Sequence, residues 1–423
     1  MAPRNVRWLR GMLRGLLGLA AILLLAWVLS EDRWRVPVRV VVSGVLLQAG
    51  LALLFLKVPL AGAAFLLLND GVEALEKATE AGTGFVFGYL GGAPLPFAEA
   101  QPGGSFIFAF RALPLVLVIS ALATLLFYWG VLQRIVQVFA WVLRRSIGIG
   151  GPLGLGAAVH IFVGHIEAPL LIRPYLLRMA RGELFALMSC GMAGIAGTVM
   201  VLYAAIIGPV IPDAHGNIRI AAVISTPAAL AIAALMVPFR PDPTAEAQLA
   251  IHDPPASAMD AVAKGTGDGI VFLANIVAML VVLVALVSLC NMILGVLPHP
   301  GGEAITLQRL FAYAFRPVMW LIGIPGPETA TAATLMGTKT VLNEFIAYVD
   351  LAKLPPGALS QHSRLILTYA MCGFANFGSL GILIGGMGAM VPERKNEIVA
   401  LGLRSILSGT LATCMSGAIV GML

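Results

Sequence analysis

Long apolar runs, rather than strict alternation, dominate this chain, and such runs read as helices. An apolar helix of ~20 residues crosses a bilayer. Runs of that length cover about 11–29, 38–55, 106–132, 184–211, 218–239, 269–296, 365–390 and 398–423, which predicts about eight transmembrane helices. Three further stretches mix apolar and polar residues: 60–79, with Asn69, Asp70, Glu73, Glu76 and Lys77; 133–147, with Arg134, Arg144 and Arg145; and 305–324. A stripe of charge on an apolar helix suits the membrane interface.

Two segments break the pattern. Residues 150–181 are apolar but interrupted by Gly164, His165, Glu167 and Pro169, and residues 328–354 carry Lys339, Asn343 and Glu344. Each predicts two half-helices around a break, a re-entrant hairpin. Each is followed by two apolar spans, and the spans after the hairpins share a fragment: Cys190-Gly191-Met192-Ala193 and Cys372-Gly373-Phe374-Ala375. Interrupted segments in matching places of two halves point to an inverted repeat with a binding site at its centre. The stretch 240–257, rich in proline and charge, is the one clear aqueous linker.

Composition supports a lipid-solvated chain. Only 11% of the 423 residues are charged and 59% are hydrophobic, against ~25% charged for a soluble domain. In lipid the backbone must satisfy itself, so an all-α polytopic membrane protein follows. The net charge of +6 comes from basic residues at the ends of apolar runs, such as Arg4, Arg7, Arg10 and Arg14, and it argues for membrane topology rather than nucleic acid. Four cysteines, Cys190, Cys290, Cys372 and Cys414, lie inside apolar segments with neither metal nor disulfide spacing. The N-terminal run lacks a small-residue cleavage site, which predicts a retained first span.

The candidate chemistry sits at the breaks. Glu167 in VGHIEAPLL and Glu344 in VLNEFIAY are carboxylates inside membrane segments, where such a group costs several kcal/mol unless it faces a cavity or a partner. The bland alternative is an ion pair between helices, with Lys339 or Arg173. Asn376 and Ser379 in CGFANFGSLGI either bond neighbouring helices or, with the two carboxylates, form a site for a polyol or sugar. His165 is expected to meet substrate or water in the break; His160 is either functional or a packed histidine. A metal reading, with His160, His165 and Glu167 in an intramembrane hydrolase, suffers from a spacing of five that points the histidines different ways on a helix. The chain shows no P-loop, nucleophile elbow or Rossmann glycine pattern, so neither an ATP-driven pump nor a soluble-type enzyme is expected.

The strings NDG (69–71), GTGFVFG (82–88), GGSFIFAFRALP (103–114), IFVGHIEAPLLIRPY (161–175), GELFALMSCGMAGIAG (182–197), GTKTVLNEFIAY (337–348), CGFANFGSLGI (372–382) and GTLA (409–412) run through nearly the whole chain. In that order they resemble the concentrative nucleoside transporters. The resemblance implies an eight-span form of the bacterial inner membrane, a homotrimer, two re-entrant hairpins, and a transport domain that moves against a trimerising scaffold. Residues 1–149 and 240–325 would then be scaffold, and 150–239 and 326–423 the two halves of the transport domain. By position, the ribose site would be Glu344, Asn376 and Ser379. Phe374 would flank sugar and base, Glu167 would act on the base side partly through water, and Val199 would pack on the base. No organic cofactor or resident metal is implied. The partners would be nucleoside and membrane lipid, and no nucleic acid.

Two departures stand out. The family reads Gly-Gln-Thr/Ser-Glu at the first hairpin, where this chain reads Gly164-His165-Ile166-Glu167. The base-reading pair is replaced, and Ile166 neither donates nor accepts, so base preference is open, including toward a non-standard nucleoside or other ribosyl compound. Sodium-coupled members place side-chain oxygens where this chain has His160 and Gly194; Val163 and Ile195 belong to the same site. An imidazole near its titration range in place of an oxygen ligand leads to the expectation of proton rather than sodium coupling.

Overall fold

A computed structural model of the chain describes residues 4–58, 74–75, 77–98, 105, 107–111, 113–162, 164–195, 197–240, 254–297 and 304–423. Most of the expected interfacial stretch 60–79, most of the linker 240–257, and Val163 lie outside the described residues. The described secondary structure is helical. Helices α1 (Arg4–Val28) and α2 (Val38–Lys57) come first, then α3 (Leu115–Tyr128) and α4 (Val131–Ser146). The first interrupted segment gives α5 (Gly151–Val159), α6 (Glu167–Leu171) and α7 (Arg173–Leu176). It is followed by α8 (Arg181–Ala193), α9 (Gly197–Ile207) and α10 (Ala214–Met236). After the long α11 (Ala258–Leu294) and α12 (Leu307–Leu321), the second interrupted segment gives α13 (Thr329–Val341) and α14 (Glu344–Lys353). The chain ends in α15 (Gln361–Met371), α16 (Phe377–Met390) and α17 (Lys395–Met422).

Three helices differ from the apolar runs that predict them. The run 184–211 is not one span: it breaks between Ala193 and Gly197, where Gly194 takes extended backbone at φ −97 and ψ 172. The run 365–390 breaks between Met371 and Phe377, where Asn376 restarts the helix as its N-cap. Apolarity alone does not register a break that glycine and a capping side chain create inside an apolar run. In the third case α11 begins at Ala258, well before 269. Ser257 Oγ accepts from Asp260 N at 3.1 Å and Asp260 Oδ2 from Ala256 N at 2.7 Å. This is a capping pattern, and a 3.3 Å Lys264–Asp260 pair follows on the first exposed turns.

Contacts divide the chain into two compact units: a larger one of 1–59, 136–250 and 283–423, and a smaller one of 60–135 and 251–282. Within the smaller unit, Gly265 and Gly269 of α11 bring that helix against α3; a Cβ on Gly265 would stand 2.7 Å from the Ala121 Cα. Small residues four apart allow such close helix contact in lipid.

Within the larger unit α10 is the central element: nearly all of it is buried, under α2, α8 and α17. Its apolar residues leave no solvent face, as expected of a helix enclosed on all sides. Polar side chains tie the enclosing helices. Gln48 of α2 donates from Nε2 to Ser416 Oγ on α17 at 2.9 Å, and Ser225 Oγ of α10 lies 3.1 Å from the same oxygen. By contrast α1 and α11 expose rows of large apolar residues, among them Leu13, Leu17 and Leu24 on one and Val281, Leu289 and Ile293 on the other. Surface of that kind belongs in lipid.

Candidate functional site

The site lies inside the larger unit, where both hairpin tips and both helix breaks converge. Its anchor is Glu344, the first residue of α14. Asn343 ends the break before it and caps α14, its Oδ1 accepting from Ile346 N at 2.9 Å. That cap turns the chain so that the Glu344 side chain enters the bundle, 3% exposed. Tyr203 of α9 donates its hydroxyl to Glu344 Oε1 at 2.6 Å, and Asn376 donates from Nδ2 to Oε2 at 2.8 Å. Charge-assisted bonds of this length are the strong ones. Asn376 also accepts from Ser379 N at 2.7 Å, so one side chain starts α16 and orients the carboxylate. A direct Glu344–Lys339 hydrogen bond is not what is found: the Glu344 oxygens meet a phenol and an amide, and among the described residues Lys339 Nζ has no hydrogen-bond partner. Ser379 is 8% exposed beside the cap.

The two broken helices cross at their breaks. Phe374 N donates to Gly194 O at 3.1 Å, a backbone bond from one break to the other. A Cβ on Gly373 would lie 2.9 Å from the carbonyl oxygens of Met192 and Ala193, so only glycine permits this approach. The shared fragments 190–193 and 372–375 thus meet at the crossing, as the repeat predicts. Each break frees backbone groups that a ligand or a neighbouring helix can take up.

The first hairpin tip closes the other side. His165 is 4% exposed and its ring packs edge-on to Phe374, centroids 4.9 Å apart. His160, 3% exposed, ends α5 and faces the Leu187 backbone of α8. A Cβ on Gly191 would stand 2.9 Å from His165 Cβ and 3.2 Å from His160 Cε1, so this glycine seats both imidazoles on α8. Neither histidine's Nε2 meets a hydrogen-bond partner among the described residues. Gly164, Ile195 and Val199 are also buried. Ile166 turns away: its Cδ1 would lie 2.5 Å from a Cβ on Gly386 of α16. Glu167 opens α6 immediately after the tip.

Sequence reasoning missed Tyr203. It lies in an apolar run with no charged neighbour, and only the break at 194–196 gives α9 the orientation that aims its phenol at Glu344. Around it stack Tyr348 and Phe345, centroids 5.3 and 6.4 Å away. Tyr348 in turn donates to Thr368 O at 2.8 Å.

Two interrupted segments and two broken helices around a buried carboxylate and paired amide are the architecture of a secondary transporter. Comparison with known proteins gives the family. Residues 217–421 match the family described as Na+ dependent nucleoside transporter C-terminus, residues 17–90 its N-terminus, and residues 109–210 the one described as Nucleoside recognition. The Nucleoside permease NupC of Helicobacter pylori is 33% identical over 96% of both chains. An uncharacterized transporter of Haemophilus influenzae is 36% identical over 97% of both. The structure of CNTnw in an inward-facing substrate-bound state superposes with a TM-score of 0.86 at 34% identity, covering 97% of this chain and 98% of that one. A variant of CNTnw in an outward-facing state matches with the same score and identity, over 97% of both chains. The chain belongs to the concentrative nucleoside transporter family. It is a multi-pass protein of the bacterial membrane and a permease, not an enzyme, and solved relatives in inward- and outward-facing states place it among alternating-access transporters.

Proposed function

We propose that this chain takes up nucleosides in symport with protons. The ribose hydroxyls bind Glu344, Asn376 and Ser379. The base lies between Phe374 and Val199, with His165 and Glu167 on its polar edge. Coupling occurs at His160, Val163, Gly194 and Ile195. One observation carries the choice of proton: the position where sodium-coupled relatives are expected to offer a side-chain oxygen holds His160, whose Nε2 is buried and meets no hydrogen-bond partner among the described residues. Hard cations want oxygen ligands, and Gly194 adds none from a side chain. Its carbonyl already accepts the Phe374 amide, which further supports the reading. A proton needs only the imidazole nitrogen.

Symport follows if the proton stabilises the geometry that binds nucleoside, since such linkage is reciprocal. The moving body comprises 150–239 and 326–423, and 1–149 and 240–325 are the scaffold it moves against. Trimerisation through the remaining spans completes the reading.

The test is uptake of labelled uridine and adenosine into proteoliposomes, under a sodium gradient or a pH gradient in turn. Accumulation driven by the pH gradient alone is expected. Accumulation that follows sodium at fixed pH and ignores the pH gradient refutes proton coupling. No uptake of either nucleoside under both gradients, from folded protein, refutes the substrate class and points to another ribosyl compound.

A further inference from the structure

One buried charge has no place in the cycle above. Lys339 lies in the last turn of α13, is 0% exposed, and ranks among the largest fully buried side chains of the chain. Its Nζ has no hydrogen-bond partner among the described residues, although an ammonium carries three donors. Its electrostatic neighbours come from three other elements: Glu344 at the start of α14, Cys372 in the break before α16, and Cys414 on α17. Glu344 is the one carboxylate among them, and at 3% exposed it is nearly as buried as Lys339.

The two residues stand five apart in the chain, across the break between α13 and α14, and are not hydrogen-bonded to each other. Glu344 holds its oxygens on Tyr203 and Asn376. A lone charge in the membrane interior is costly, and removing one partner of a buried pair is far worse than removing both. Direct contact is not needed for compensation, because Coulomb attraction falls slowly where the surroundings are apolar. The C-terminal end of α13, with its unpaired carbonyls, also suits a cation. The offset has a consequence for binding: an ammonium seated on the carboxylate would occupy the acceptor lone pairs, whereas one held behind it balances the charge and leaves them open.

We propose that Lys339 is the resident counter-charge of Glu344, a positioning residue that balances the carboxylate while leaving its outward lone pairs free for sugar hydroxyls. The role rests on Glu344 as ribose acceptor. It also means that binding at Glu344 needs no coupling cation beside the sugar, which agrees with a coupling site at the other hairpin.

The experiment uses purified full-length Lys339→Met, Lys339→Arg, Glu344→Gln and the double variant Lys339→Met/Glu344→Gln. Binding of uridine and of 2′,3′-dideoxyuridine, which lacks the 2′ and 3′ hydroxyls and keeps the 5′ one, is titrated at equilibrium, and the thermal midpoint is measured in the absence of nucleoside. Lys339→Met is expected to weaken uridine by about tenfold or more while changing dideoxyuridine by less than about threefold, a split that general misfolding does not produce. The double variant should bind uridine no worse than Glu344→Gln alone and melt above Lys339→Met, because the uncompensated charge is gone. Lys339→Arg should recover most of the uridine affinity.

Equal weakening of both nucleosides by Lys339→Met, or a double variant that melts below Lys339→Met, overturns the proposal. If Lys339→Met does not fold, the double variant decides: folded protein supports the counter-charge, unfolded protein overturns it. The ribose reading is judged separately. A Glu344→Gln protein with the wild-type ratio of uridine to dideoxyuridine affinity refutes that reading, while the melting comparison still tests the charge pair.

Discussion

At the second hairpin tip, Glu344 is held from two sides, by Tyr203 at 2.6 Å and Asn376 at 2.8 Å. At the first, His160 and His165 are similarly buried, yet neither Nε2 finds a hydrogen-bond partner among the described residues. The tips occupy matching places in the repeat, so the difference is not one of fold. It is one of completion. A carboxylate fixed in advance loses little freedom when a sugar arrives. An imidazole left open has hydrogen-bonding capacity that only a ligand, water or proton can use. The motif residues follow the same division: VLNEFIAY and CGFANFGSLGI stand as the family resemblance implies, while Gly164-His165-Ile166-Glu167 departs from it. On the proposed function, one tip holds what all nucleosides share, and the other meets what distinguishes them and the driving ion.

The largest effect should come from the completed tip. Glu344→Gln keeps the shape but removes the charge that accepts the Tyr203 and Asn376 bonds, and it turns one acceptor into a donor facing the Asn376 amide. Bonds to charged groups contribute about 1.5–3 kcal/mol each, so uptake of uridine should fall by roughly 100-fold across all bases. Wild-type uptake in this variant would sink the comparison, because the second tip would then not be the anchor.

His165→Gln probes the open tip. It restores the residue type usual in the family and should shift the base ranking by about tenfold toward pyrimidines, with little change for the sugar. Competition of uridine uptake by a panel of unlabelled nucleosides reads this directly. An unchanged ranking removes His165 from the base contact, and a loss common to all nucleosides would make both tips alike.

Tyr203→Phe should have a smaller effect on the anchored side. It deletes one of two donors to Glu344 and leaves the ring stack with Tyr348 in place. A cost at the low end for a bond to a charged group, about 1.5 kcal/mol or roughly tenfold in uridine affinity, is expected. Equilibrium binding by the purified protein measures it, and a loss as large as that of Glu344→Gln would show that the phenol, not the amide, fixes the carboxylate.

The tips were legible in sequence to different degrees. Charge inside apolar runs marked Glu344, and polarity inside one marked Asn376 and Ser379, but not the helix cap that Asn376 makes. The helix breaks at 194–196 and 372–376 were hidden, because hydropathy averages over them and the breaking groups are small. Tyr203 was hidden with them, since it reaches Glu344 only once the run is cut. The outward turn of Ile166 onto Gly386 was likewise invisible: two residues far apart in sequence meet because one lacks a side chain. Hence the sequence located the chemistry of the site better than the path of the backbone around it. Where the repeat is concerned, the shared Cys-Gly-Met-Ala and Cys-Gly-Phe-Ala fragments pointed to matching elements, but not to the backbone bond between the two breaks.

The smallest expected effect sharpens the comparison by leaving both tips alone. Glu31, in the turn after α1, accepts from Arg181 Nη2 and Arg404 Nη1, both at 2.9 Å, and Arg181 also lies 3.6 Å from Glu397. One carboxylate thereby joins the start of α8, which belongs to the first half of the repeat, to α17, which closes the second. The Arg181 hydrogen bond holds the Glu31 carboxyl below its ordinary 4.5; partial burial opposes this, and the charges of Arg181 and Arg404 add to it. A carboxylate depressed by folding contributes stability that is fully present above its unfolded-state value and is lost as pH falls through the folded one. The side chains are partly exposed, at 29% for Glu31 and 43% for each arginine, so screening limits the contribution to about 0.5–1 kcal/mol. Glu31→Gln should therefore lower the thermal midpoint by about 1 °C at pH 7, with the gap to wild type closing below about pH 4.5, and should leave base ranking and sugar discrimination untouched. A change in either selectivity would mean that the clamp reaches the tips, and that the difference between them depends on how the two halves are tied at their ends.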